Sequence, residues 1–259
     1  MQILEMLIDT HSHIYSEDYK DDIDEVITRA YDNDVRKIIL PNIDSSSIKK
    51  MLDLADQYPQ ICYPMMGLHP TSVSEDYQEE LELVKFWLKR RPFYGIGEIG
   101  IDLYWETTYL EEQSIAFRQQ LKLAKEYKLP AVLHVRESFN EVFAIVEEEN
   151  DEDLSGVFHS FTGTIEQAKK VIEQGFKIGV GGIVTFKNSG LDQVIGQIDP
   201  KHLILETDAP YLTPVPFRGK RNESSYLIHI ARKIAELHDV SVNEVAKVTS
   251  ANATELFGI

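Results

Sequence analysis

The sequence predicts an α/β protein folded as a single (β/α)8 TIM barrel, with a metal site at the C-terminal rim of the strands. Three observations carry that expectation. Short apolar runs alternate with amphipathic segments along the whole chain, and eight such units can be counted. The metal-type side chains fall at the ends of those apolar runs, where a barrel gathers them on one face.

Each element has a local reason. The first strand, 6–13, is an apolar run leading into His11 and His13, whose i, i+2 spacing sets both imidazoles on one side of the backbone. A periodic helix over 23–32 precedes a strand over 37–41, where Lys37-Ile38-Ile39-Leu40 suits a strand buried on both faces. Helix 47–58 leads to strand 61–69, which ends at His69, and helix 77–90 leads to strand 94–102, which carries Glu98. Helix 111–127 precedes strand 131–136 with His134, and helix 139–149 precedes strand 156–161 with His159. The acidic stretch 147–153 reads as a solvated helix end and loop. Helix 165–174 opens on a capping box of Thr164 and Gln167 and stops at Gly175. Strand 176–181, a short helix over 190–198 and strand 202–208, ending at Asp208, complete the eight units. Helices 224–238 and 242–257 close the chain, the last capped by Ser241 with Glu244 three residues on.

Parallel neighbours need a crossover, and eight units fit a closed barrel better than an open doubly wound sheet, the runner-up. No G-x-G-x-x-G follows the first strand and no P-loop occurs, which argues against a nucleotide-cofactor fold. No Gly/Ser/Pro-rich linker interrupts the 259 residues, so one domain over 1–259 is expected. The lone Cys62, in an apolar context, reads as a buried thiol and excludes an internal disulfide or a cysteine zinc cluster. No basic-then-apolar leader and no long apolar run appear, so a cytoplasmic protein without membrane attachment is expected, and a monomer fits. The net charge of -17 argues against broad adhesion to duplex nucleic acid, while leaving room for a small phosphate site with local cations.

His11, His13, His69, Glu98, His134, His159 and Asp208 thus share the ends of several strands. One such histidine is most simply a hydrogen-bonded core residue. Seven imidazoles and carboxylates at matching positions are costly to bury without a partner, and a convergent metal site supplies one. Imidazoles and carboxylates without thiolate suit Zn, Mn, Fe or Ni, and Mg less naturally. With His69 set aside, six ligands exceed what one catalytic zinc takes, so two ions bridged by Glu98 fit better.

Eight motifs in order make the likeness specific. They are Asp9-Thr10-His11-Ser12-His13, Gly67-Leu68-His69-Pro70, Gly97-Glu98-Ile99-Gly100-Ile101-Asp102, Leu133-His134-Val135-Arg136 and Phe158-His159-Ser160-Phe161. Glu206-Thr207-Asp208-Ala209-Pro210, Arg218-Gly219-Lys220-Arg221-Asn222-Glu223 and Asn252-Ala253-Thr254-Glu255-Leu256-Phe257 follow. From about residue 6 to the C-terminus the chain resembles the TatD family of metal-dependent deoxyribonucleases, within the amidohydrolase-type barrels. The resemblance implies metal ligands at His11, His13, Glu98, His134, His159 and Asp208, with Glu98 between two divalent ions (Mg, Mn or Zn). It departs only at Ile101, where leucine is more usual, and at Ser224, where proline is common.

The implied activity is hydrolysis of DNA phosphodiester bonds, at single strands or ends and exonuclease-like, with Asp208 as ligand and proton acceptor and Glu98 as bridge. The same chemistry would also serve an amidohydrolase-like enzyme cleaving an ester, lactone or amide of a small anionic substrate. A non-catalytic metal-binding scaffold is the third reading, and the full ligand set argues against it. Glu206 reads either as support for a ligand or as a buried ion pair, and Asp102 as orienting a ligand or capping the next loop. The resemblance places His69 as a phosphate contact; otherwise it is a turn residue before Pro70. Arg136 can hold a phosphate oxygen or form a structural salt bridge. Arg218, Lys220 and Arg221 form the one compact basic cluster, expected to draw an anionic strand toward the rim, or else plain surface. Tyr104, Trp105 and Phe161 can stack bases, with core packing the simpler reading for each alone. His202, His229 and His238 read as ordinary surface or packing residues.

Overall fold

Strand, crossover helix and parallel strand repeat along the chain, as the apolar runs require. The computed structural model describes residues 5–105 and 107–259. Its first half holds β1 (Leu7–Asp9), α1 (Ile23–Asp32), β2 (Val35–Leu40), α2 (Ser45–Gln57), β3 (Cys62–Pro64), α3 (Tyr77–Leu88) and β4 (Ile96–Asp102). There follow α4 (Leu110–Tyr127), β5 (Ala131–Arg136), α5 (Phe139–Glu149), β6 (Gly156–Phe158), α6 (Ile165–Glu173) and β7 (Lys177–Val180). The short α7 (Leu191–Ile195), β8 (Leu203–Leu205), α8 (Leu227–His238) and α9 (Val242–Phe257) complete the order.

The strands pair in parallel and in chain order, β1 to β3 in one sheet and β4 to β8 in another. Two parallel bridges, Met66 with Ile96 and Ser12 with Ala209, join the open edges. Backbone bonds from Gly97 N to Met66 O (3.1 Å) and from Thr10 N to Leu205 O (3.0 Å) continue the ladder across both seams. The sheet is thereby closed, giving the (β/α)8 barrel.

Two apolar cores follow from closure. The larger one fills the space between the strands' outer faces and the helices, with Leu7, Ile38, Leu40, Ile99, Leu133 and Leu205 among its members. The smaller one takes Ile8, Ile39, Val132, Val157 and Ile204 from five strands, with Met65, in the barrel interior. Ala253 and Phe257 of α9 complete this layer. Ser250 Oγ donates to Met6 O (2.8 Å) and Asn252 Nδ2 to Leu203 O (2.8 Å), so α9 plugs the barrel at the strands' N-terminal ends. The opposite mouth is left for polar side chains.

Several strands are shorter than the apolar runs. The run 61–69 pairs as a strand only over Cys62–Pro64, and His69 lies in the loop beyond. Tilted barrel strands diverge at the rim, so the ladder ends while the chain still points residues inward. The expected caps are present. Thr164 and Gln167 form a reciprocal capping box, Ser241 Oγ accepts from Glu244 N (3.1 Å), and Gly175 follows α6. The expected helix over 224–238 divides into a 3₁₀ turn at Ser224–Tyr226 and α8. Cys62 is buried, and no helix among the described residues is long and apolar enough to cross a membrane.

If α9 is the floor of the barrel, Phe257→Ala should lower unfolding free energy by about 3–5 kcal/mol in chemical denaturation, as expected for a large buried aromatic. A loss below about 1 kcal/mol would show that the interior core does not depend on it.

Candidate metal centre at the strand ends

Five strand ends and the loop after a sixth strand deliver the site. His11 and His13 follow β1, His69 follows β3, Glu98 lies within β4 and His134 within β5. His159 immediately follows β6, and Asp208 stands three residues past β8. Backbone geometry at these ends is specialised. Asp208 has φ 55 and Ser160 φ 45, a left-handed region that aspartate tolerates better than most residues. At Gly100 φ is 143, and an added Cβ would sit 2.1 Å from His134 O, so only glycine lets β4 lie this close to β5.

The ligand atoms converge. His11 Nε2 lies 3.2 Å from His13 Nε2, 3.0 Å from Glu98 Oε2 and 3.9 Å from Asp208 Oδ1. His13 Nε2 is 3.7 Å from Glu98 Oε2 and 3.8 Å from Asp208 Oδ1. His159 Nε2 is 3.7 Å from Glu98 Oε1 and 3.9 Å from Asp208 Oδ1, and its ring stacks on His11 at 3.4 Å. His134 Nδ1 reaches Glu98 Oε1 at 2.6 Å, and His69 Nε2 lies 3.4 Å from the same oxygen. Three overlapping groups have ligand atoms within 4.8 Å of one another: His11/Glu98/His159, His11/His13/Asp208 and His69/Glu98/His134. Glu98 belongs to two of them, with His11 nearest Oε2 and His69, His134 and His159 nearest Oε1.

An outer layer sets which nitrogen of each imidazole faces inward. Tyr15 Oη donates to Pro41 O (2.6 Å), so its oxygen accepts from His13 Nδ1 (2.8 Å) and leaves the His13 Nε2 lone pair toward the cluster. Glu206 Oε1 accepts a hydrogen bond from Ser160 N and lies 3.1 Å behind His159 Nδ1, an ion-pair distance at which Nδ1 makes no hydrogen bond. A Cβ at position 179 would come within 2.6 Å of Glu206 Oε2, so Gly179 makes the room Glu206 needs. Asp102 Oδ2 accepts from His134 Nε2 (2.9 Å) and leaves Nδ1 facing Glu98. Asp102 Oδ1 also accepts from Tyr104 N (2.9 Å) and Trp105 N (2.7 Å), so this residue both orients a histidine and caps the loop. His69 is turned the other way. Its Nδ1 accepts from Thr71 N (3.1 Å), so its Nε2 carries the proton and presents a donor, not a lone pair. Tyr15 and Thr71 escaped the sequence reading, although Tyr15 continues the i, i+2 spacing of His11 and His13.

Charge balance tests whether a metal fits. Glu98, Asp102 and Glu206 are buried and Asp208 is nearly so, yet among the described residues no Lys or Arg lies within 4 Å of their carboxylates. Among the described residues the ionisable groups that face them as partners are imidazoles. Burial disfavours charge on His134, but hydrogen bonds to Asp102 and Glu98 outweigh it and lift the imidazole to about 9. Burial likewise opposes charge on His159, while Glu206 and Glu98 lift it to about 10. Burial raises Asp208 to about 6 against the pull of His159 and His13. His11 is held neutral by burial and by His159, and its buried Nδ1 has no hydrogen-bond partner. Without an ion, protons balance the carboxylates. Divalent cations can take that place on the same imidazole and carboxylate donors, so the residues present fit such ions.

The rim residues divide. Arg136 is exposed, has no ion pair among the described residues, and lies over Tyr104 (4.3 Å) and Trp105 (5.4 Å). Tyr104 and Trp105 are 52% and 67% exposed, against the core packing that reads most simply from sequence, whereas Phe161 is buried. Arg218 is exposed and lies over Phe186 at 3.7 Å. Arg221 does not stand free as the basic-loop reading expects. Its guanidinium binds Asp22 through both edges (2.8 and 2.6 Å), because Asp22 and Glu223 need cations where the β8 loop meets α1. Asn222 Nδ2 donates to Thr207 O (2.8 Å) and Tyr211 O (2.6 Å), fixing the turn that carries Asp208. His202, His229 and His238 lie on other elements, as expected.

Comparison with known proteins gives one consistent answer. The family profile described as TatD related DNase matches residues 8–258. An uncharacterized metal-dependent hydrolase of Bacillus subtilis, YabD, is 38% identical over 255 residues, covering 98% of this chain and 100% of the relative. A Citrobacter rodentium protein named 3'-5' ssDNA/RNA exonuclease TatD is 32% identical over 259 residues, covering 98% of each. The crystal structure of YjjV, a TatD homologue of Escherichia coli, superposes with a TM-score of 0.91 at 32% identity, covering 98% of both chains.

The proton positions separate ligands from neighbours. Tyr15→Phe should weaken Mn or Zn binding roughly tenfold in chelator-competition titration, as loss of an outer partner does. His69→Ala should leave metal content per chain unchanged by elemental analysis. Loss of an ion from the His69 variant would make it a ligand.

Proposed function

The chain belongs to the TatD family of metal-dependent hydrolases, and from that premise we propose that it hydrolyses phosphodiester bonds of DNA, taking single strands or ends in an exonuclease-like manner. The observation that carries this reading is the cluster of Glu98 and Asp208 with four inward-facing imidazoles, beside exposed arginine and aromatic side chains at one rim. The ligand chemistry is supported by the outer layer, which aims Nε2 of His13 and His159 and Nδ1 of His134 at the two carboxylates.

In this reading His11, His13, Glu98, His134, His159 and Asp208 would hold two divalent ions, with Glu98 common to both. Bound Mg, Mn or Zn would supply Lewis-acid activation of water and charge neutralisation at the phosphate. Asp208 accepts the proton of the attacking water, a role its carboxylate suits because burial raises its affinity for a proton. His69 donates from Nε2 to a phosphate oxygen, since its Nδ1 lone pair is taken by Thr71 N. Arg136 and Arg218 add local positive potential to a chain of net charge -17, steering an anionic strand to this face. Arg221 has no part in this contact, since Asp22 occupies it.

The test is cleavage of single- and double-stranded DNA by the purified chain after chelation and re-addition of Mg, Mn or Zn. Cleavage should depend on metal, and Asp208→Asn and Glu98→Gln should each lower turnover by roughly 10²–10⁴-fold, the usual worth of a positioned proton acceptor or its equivalent. Full activity in either variant, or none in the metal-loaded wild type, would remove the nuclease assignment.

A further inference from the structure

Three of the most exposed large apolar side chains stand next to the cluster. Tyr104 and Trp105 follow β4 and are 52% and 67% exposed; Tyr211, after β8, is 59% exposed. Exposed rings of this size keep a large apolar area in water, and a group of them at one functional mouth marks a contact surface. Their attachment is tight. Asp102 takes the backbone N–H of both Tyr104 and Trp105 on one oxygen and His134 Nε2 on the other, so one carboxylate width separates that loop from the cluster. On the other side, the Tyr211 ring packs edge-on to His13 with centroids 6.5 Å apart, and Tyr211 N donates to Asp208 O (2.8 Å).

Topology sets these groups against each other. In a closed barrel of eight strands paired in chain order, β4 and β8 are four strands apart in either direction, so their loops face across the mouth. We infer that Trp105 with Tyr104, and Tyr211, form two walls on opposite sides of the cluster against which the bases of the strand stack. This inference rests on the nuclease reading above. Arg136, over the Tyr104 and Trp105 rings, keeps a cation beside the backbone of such a strand. Ring stacking needs no base identity and needs bases free of a partner, so the walls select single strands over duplex and tolerate sequence. The loop backbone is fixed by Asp102 before any strand arrives, which reduces the ordering cost of binding.

The chain has two tryptophans, and Trp87 on α3 is half-buried against the core, so Trp87→Phe leaves Trp105 as the only indole. That metal-loaded variant would be titrated with a phosphorothioate oligothymidylate, with an abasic strand of equal length and charge, and with a duplex. Base-bearing single strand should quench Trp105 emission, while the abasic strand and the duplex should quench little. In an otherwise wild-type chain, Trp105→Ala and Tyr211→Ala should each weaken oligothymidylate binding about tenfold, within the range for one stacked base, and Trp105→Phe should restore most of it. Tyr31→Ala, an exposed ring under Arg36 at the far end of α1, should change nothing. Equal affinity for base-bearing and abasic strands, or no loss in the Trp105 and Tyr211 variants, overturns the walls while leaving the nuclease reading in place. If no strand binds the wild type at all, the nuclease reading fails, and the walls fail with it.

Discussion

Four carboxylates, Glu98, Asp102, Glu206 and Asp208, meet at the barrel mouth with imidazoles and backbone N–H groups but, among the described residues, no lysine or arginine beside them, and the rest of the architecture answers to that constraint. A carboxylate withdrawn from water without a cation is expensive. Most proteins relieve it with a lysine or arginine. Here the arginines of the rim are held elsewhere: Arg136 over aromatic rings, Arg218 over Phe186, Arg221 against Asp22. The remaining negative charge is met by protons on His134 and His159, a balance that divalent ions on the same donors would replace.

The fold makes that concentration of charge sustainable by separating it from the apolar work. The interior layer of Ile8, Ile39, Val132, Val157 and Ile204, floored by α9, carries packing at one end of the barrel. The other end is freed for polar groups supplied one or two per strand, several of them backed by a polar partner. Tyr15 and Asp102 bond the outer nitrogens of His13 and His134, Glu206 stands 3.1 Å behind that of His159, and Thr71 holds His69 with its Nε2 as a donor. The network of Arg29, Asp22, Glu223 and Arg221 ties the loop after β8 to α1 and so steadies the turn at Asp208.

Much of this was legible in the chain because the pattern repeats: an apolar run ending in an imidazole or carboxylate recurs strand after strand, and the structure brings His11, His13, Glu98, His134, His159 and Asp208 to one place. Strand lengths were less legible. The run 61–69 is apolar up to His69, yet the regular strand ends at Pro64 and the pairing itself at the Met66 bridge, a limit that hydrophobicity does not mark. Arg221 looked free because its partner Asp22 is remote in sequence. Exposure of Tyr104 and Trp105 could not be read from residue type, since an aromatic beside a strand is more often core. The proton on His69 depends on a backbone N–H two residues away, a matter of loop geometry.

The central claim is that the cluster is a binding site for two divalent ions that share Glu98. Anomalous difference maps from crystals soaked in Mn or Zn, collected at the metal's absorption edge, test it most directly. Two peaks are predicted at about 2.0–2.3 Å from their nitrogen and oxygen donors. One should lie among His11, His13 and Asp208, the other beside His134 and His159, with a Glu98 oxygen on each. Absence of any peak in the cluster, or a single ion bound without Glu98, would contradict the account.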